Sequence, residues 1–220
     1  MDWFAPIALY CERTAPGLLN EPLNAFSNVA FFAAAALAIV QRPARHDLFL
    51  WILIALVVLI GIGSTAFHVF ANRWSLLADT MPIAAFIYAF FLYAMLRFVA
   101  LSWVPSVAIT VLFFLASYAF SAALPPHLLN GSLGYLPALA GLVALSATLF
   151  ARRFPAAPLL LAAAGVLLVS LTFRTIDLAV CTRIPAGTHF LWHALNGLVL
   201  YLALLSAIRF GGLAPSTRDT

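Results

Sequence analysis

Lysine is absent from the 220 residues, so all eleven basic side chains are arginine, and only 8% of the chain is charged. A surface facing water cannot be built from so few charges, which excludes an ordinary soluble globular protein. The chain also lacks an internal repeat, a low-complexity tract and a long linker, which leaves no place for a second domain. Met1–Asn20 carries Asp2, Glu12 and Arg13 instead of a basic start followed by an apolar core, and this argues against a cleaved signal peptide. What the chain has in quantity is apolar surface: 65% of its residues are hydrophobic.

A membrane-crossing helix needs roughly 20 mainly apolar residues. Seven stretches qualify: about Asn24–Gln41, Leu48–Phe70, Leu77–Leu96, Trp103–Leu124, Leu133–Phe150, Ala156–Val180 and Thr188–Ile208. The expectation is an all-α fold, a single domain over 1–220, with an N-terminal segment 1–23 and a tail 209–220. With the N-terminus outside, Arg42, Arg45, Arg97, Arg152, Arg153, Arg209 and Arg218 lie inside, and Arg13, Arg73, Arg174 and Arg183 lie outside. That bias favours N-out, C-in. It also accounts for the net charge of +4 without a nucleic-acid partner.

Ionisable groups are costly in a membrane helix, so each one is a functional candidate. With alternating crossings, "GIGSTAFHVF", "LLADTMP", "FRTIDLAVC" and "THFLWH" all fall on one side, together with "CERTAPGLLNEPLNAFSN". Glu12, Glu21, Asn24, Ser27, Asn28, Ser64, His68, Asp79, Asp177, His189 and His193 therefore converge near one face. The fourth and fifth spans bring no charge and are expected to close the wall.

His189 and His193 are four apart and share a helix face, as the paired histidines of zinc helices do. His68 supplies a third ligand at similar depth, and three histidines with an open fourth position form a catalytic zinc arrangement. Ser64 lies one turn from His68 on the same face. Each histidine alone reads equally as an interfacial or hydrogen-bonded residue, and it is their joint placement beside a carboxylate that points to a metal. His46 and His127 fall in loops without such company. Asp79 also reads as a helix N-cap, Asp177 as an ion-pair partner of Arg174, and Glu21 before Pro22 as a helix start. The two cysteines, Cys11 and Cys181, fall on the same outer face, where oxidising conditions would join them in a disulfide.

The ordered set "CER", "EPLNAFSN", "GSTAFH", an aspartate eleven residues after that histidine, and H-x-x-x-H at the start of the last span resembles the alkaline ceramidase family. That family belongs to a superfamily of seven-helix membrane hydrolases that also holds the progestin and adipoQ receptors. The resemblance runs from Cys11 to His193. It implies an intramembrane zinc amidase that cleaves the amide of ceramide to a sphingoid base and a fatty acid. Position by position, it makes His68, His189 and His193 the zinc ligands, Ser64 the serine beside the metal, and Asp79 the aspartate near the activated water. Animal members also hold calcium in the N-terminal segment, and Glu12 and Glu21 match two of its carboxylates. Where those members have Asp-Trp before the Cys-Glu pair, this chain has Leu9-Tyr10. Calcium binding and simple capping by the two glutamates both stay open.

The chemistry so implied is attack of water on a lipid amide, with Asp79 as general base and then proton donor, and Ser64 at the oxyanion. The substrate is a membrane lipid, ceramide or another N-acyl lipid. Alanine richness and the lack of lysine suggest a bacterial multi-pass protein of the inner membrane with its site towards the periplasm. A second reading is a seven-helix receptor or ligand-binding protein that holds a metal without turnover.

Overall fold

The computed structural model describes residues 2–42, 47–125 and 127–213; Arg45, His46, Arg218 and most of the tail lie outside them. The helices are α1 (Pro22–Ser27), α2 (Val29–Gln41), α3 (Leu48–Phe70), α4 (Arg73–Arg97), α5 (Trp103–Ala122), α6 (Leu136–Ala151), α7 (Ala157–Val180) and α8 (His189–Phe210). A 3-10 segment, Leu128–Tyr135, leads into α6. Seven helical spans are long and apolar enough to cross a membrane: α1 with α2, α3, α4, α5, the 3-10 segment with α6, α7, and α8. An integral multi-pass membrane protein follows, because in hydrocarbon a helix satisfies its own backbone.

Two span boundaries differ from the sequence reading for local reasons. The first span is interrupted at Asn28, between α1 and α2. The third begins at Arg73 instead of Leu77, because Asn72 and Ser75 form a reciprocal capping box that starts the helix a turn earlier. Asp79 is consequently an interior residue of α4, and its reading as an N-cap is overturned.

The main core packs α2, α3, α4 and α8 around Ala35, Ala38, Leu53, Val57, Ile60, Phe90, Tyr93 and Leu204. A smaller cluster joins α7 to α8 through Leu167, Leu171, Trp192 and Val199. Helix α5 buries only Ser106 and Ser117, so it flanks the bundle as the wall that its uncharged sequence suggests. The N-terminal segment lies across the α3–α4 turn. It is held by backbone hydrogen bonds from Ile7 N to Ala71 O (2.8 Å), from Leu19 N to Val69 O (3.2 Å) and from Trp74 N to Trp3 O (3.2 Å).

One contact sets the depth of the site. A Cβ placed on Gly63 would collide with the carbonyl of Ala78, so the backbones of α3 and α4 touch there without side chains between them. The next residue on each helix is functional in type: Ser64 on α3 and Asp79 on α4. Gly63→Ala is expected to push the helices apart and lower stability by about 1–3 kcal/mol, the usual effect of overpacking. Thermal unfolding of the detergent-solubilised variant checks this, and an unchanged Tm would show that the contact is not tight.

Candidate metal centre

His68 sits in the last turn of α3, and His189 and His193 sit in the first two turns of α8. All three are buried, at 0%, 2% and 1% exposure. Each can offer one ring nitrogen such that the three nitrogens lie within 4.8 Å of one another. The sequence-derived triad is therefore one cluster in space, although His68 and His193 are 125 residues apart.

The hydrogen bonds behind the rings assign the tautomers. Nδ1 of His68 lies 2.5 Å from Oε2 of Glu21. Burial alone would raise the Glu21 carboxyl's pKa, but the hydrogen bond from His68, aided by hydrogen bonds from Arg13 and Asn24, holds it below the ordinary carboxylate range. An ionised carboxylate only accepts, so Nδ1 of His68 carries a proton, and in the neutral ring that metal binding requires Nε2 is a bare lone pair. On the other side, the Ser27 hydroxyl donates to the Asn24 carbonyl at 2.8 Å and sits 2.7 Å from Nδ1 of His193. With its own proton committed, Ser27 accepts from His193 Nδ1, and Nε2 of His193 is bare as well.

Those two Nε2 atoms face each other at 3.1 Å. Two lone pairs so placed repel unless a cation lies beside both. A tetrahedral zinc with bonds of 2.0–2.1 Å separates its nitrogen ligands by about 3.4 Å, close to what is seen. Nδ1 of His189 is buried without any hydrogen-bond partner, a costly state for a ring nitrogen. The residues thus fit a divalent metal, with Glu21 and Ser27 as the partners that orient its histidines.

Helix α8 is held in place by Asp177. One of its oxygens accepts from Thr188 N (2.7 Å) and His189 N (2.9 Å), and the other accepts from Cys11 N (2.9 Å). Gly187 adopts φ +66°, and a Cβ there would run into Asp177, so the turn requires glycine. The disulfide between Cys11 and Cys181 closes beside this knot, with Cα atoms 5.4 Å apart. Tyr10 then stacks on the His189 ring at 3.5 Å between centroids and fixes its plane. Asp177 is fully occupied as a helix cap, which corrects its reading as an ion-pair partner. Arg174 turns away and donates to the Asn130 carbonyl (2.5 Å) and the Ser132 hydroxyl (3.2 Å), with its guanidinium over the rings of Tyr135 and Trp192. A three-residue spacing allowed the pair, but the caps that each residue makes are long-range and leave no local pattern.

Ser64 lies 3.4 Å from Nε2 of His193, and Asp79 lies beside it in the same lining. Both line one end of a groove that continues past Phe31, Ile83, Phe86, Phe113, Leu142 and Leu167, a wall of aromatic and aliphatic side chains. Asn196, Val199, Leu200 and Ala203 extend the His193 stripe along α8 into this groove. Asn196, Tyr135 and Tyr10 were not singled out from sequence. An isolated asparagine or tyrosine in an apolar run carries no motif.

The four carboxylate oxygens of Glu12 and Glu21 are all engaged. Glu12 accepts from the backbone N–H groups of Leu23 (2.6 Å) and Asn24 (2.8 Å), capping the first span. Glu21 accepts from Arg13 (2.5 Å) as well as from His68 and Asn24. A guanidinium already neutralises the second carboxylate, and these residues as arranged do not fit a calcium ion, which wants six to eight oxygen ligands.

Replacing Ser27 by alanine frees the His193 ring to change tautomer, and the affinity for the metal is expected to fall roughly 10–100-fold. Chelator competition on the purified protein measures this, and an affinity equal to wild type would refute the tautomer assignment. No protein-family model matches the chain, and no curated protein matches it.

Proposed function

We propose that this protein is a zinc-dependent intramembrane amidase of the alkaline ceramidase kind, which hydrolyses the amide of ceramide or a related N-acyl lipid to a fatty acid and a free amine. The observation that carries the reading is the pair of opposed histidine lone pairs, with the orphaned His189 nitrogen, at the polar end of an apolar groove inside a membrane bundle. A lipid hydrolase needs such a groove, since the acyl and sphingoid chains never have to leave an apolar medium.

Zinc held by His68, His189 and His193 would supply Lewis acidity at the amide carbonyl and activate water there. Asp79 takes the proton from the attacking water and returns it to the departing nitrogen, so that water adds as acid OH and amine hydrogen. The Ser64 hydroxyl donates to the oxygen that gains charge. Ser64 and Asp79 both line the groove next to His193. The rest of the groove is lined mainly by aromatic and aliphatic side chains, which suit apolar lipid chains.

The arginine distribution supports an N-out, C-in insertion. On that reading the centre and the Cys11–Cys181 disulfide face the outside, which in a bacterial inner membrane is the oxidising periplasm.

Asp79→Asn keeps the shape of the side chain and removes its basicity. Fatty-acid release from the N-acyl lipid that wild type cleaves fastest, in a panel beginning with ceramides, is expected to fall by roughly 10²–10⁴-fold. Zinc content should stay at the wild-type level. Full turnover in that variant would remove Asp79 from the reaction, and a wild-type protein with zinc but no amide turnover across the panel would favour a receptor.

A further inference from the structure

Arg13 is a cation enclosed behind the metal centre. Its side chain is only 4% exposed, and that of Glu21 is 1% exposed. Three of its nitrogens point at three different oxygens: Nε at Oε1 of Glu21 (2.5 Å), Nη1 at the Gly17 carbonyl (3.1 Å) and Nη2 at the His68 carbonyl (3.2 Å). One carboxylate and two backbone carbonyls form the acceptor set that a hard metal ion would use, and here a guanidinium fills it.

The placement grips His68 twice. Arg13 holds the backbone of His68 directly, and through Glu21 it holds the ring, because the other oxygen of Glu21 receives the His68 Nδ1 proton at 2.5 Å. Asn24 Nδ2 adds a weaker hold on the same oxygen at 3.2 Å. A carboxylate this deeply buried needs a counter-charge beside it, and the Arg13 guanidinium is the one in contact with it.

We infer that Arg13 is a built-in cation which stands in for a bound calcium as the counter-charge of Glu21, and that it positions His68 for the metal. The centre is then independent of calcium. This rests on the reading of the three histidines as a metal site.

The test uses full-length protein in detergent and reads zinc affinity by competition with a chromophoric chelator selective for zinc, in the presence and absence of millimolar calcium. Wild type is expected to bind about one zinc, with the same affinity at every calcium level. Arg13→Gln should bind zinc roughly 10–100-fold more weakly, the usual loss when a partner behind a ligand is removed. Arg13→Lys, which restores the charge, should recover most of that loss. A tenfold response of wild type to calcium would overturn the inference, as would a folded Arg13→Gln with wild-type affinity or an Arg13→Lys as weak as the glutamine variant. Should Arg13→Gln fail to fold, the calcium titration of wild type and the lysine variant still decide the matter. Absence of zinc binding in wild type would instead defeat the metal site itself, and this inference with it.

Discussion

Like-signed electron density held face to face in an apolar interior is the constraint around which the rest of this structure is arranged. Nε2 of His68 and Nε2 of His193 are aimed at one another because their opposite nitrogens are committed, one to Glu21 and one to Ser27. Rotating either ring would strand a proton or a lone pair against hydrocarbon, at a cost of a few kcal/mol. With both rings neutral, the pair is shaped to receive positive charge. Everything nearby serves to hold it: the Asp177 knot that fixes the start of α8, the Tyr10 ring laid on His189, and the Gly63 contact that brings Ser64 and Asp79 to the same depth.

The polar groups of the molecule are distributed with a clear logic. Near the centre, side chains bond across long sequence separations, as Cys11 does with Asp177 and Ser27 with His193. Along the helices, Thr65, Thr80, Thr110, Ser117 and Ser146 simply return their hydroxyls to the carbonyl one turn back. Such local bonds satisfy a hydroxyl in lipid and carry no information about partners.

This division explains what could be read in advance. The seven spans follow from runs of apolar residues, and the meeting of His68, His189 and His193 follows from alternating crossings plus a four-residue spacing. Both depend on periodicities that a linear pattern preserves. Asp177 and Arg174 were misjudged because spacing shows that two side chains share a helix face without showing what else competes for them. Asp79 was misjudged as a cap because the Asn72 and Ser75 box lay just outside the apolar run. Arg13 read only as a charge that sets topology, since nothing local reveals that its acceptors are a carbonyl 55 residues away and a glutamate before the first helix.

The separation of the ligands along the chain also sets an order of events. Glu21 lies just before the first span and Ser27 and His68 lie in the first two, whereas His189 and His193 belong to the last. A chain emerging from the ribosome and entering the bilayer span by span carries the early part of the centre, with Glu21 and Arg13, through four further insertions before the last helix brings the rest. During that interval the early part is a pair of short polar patches in search of partners, and the final helix arrives as the piece that completes them. Any metal that the three histidines hold is captured only once α8 is in place, because two of the three candidate ligands arrive with that helix.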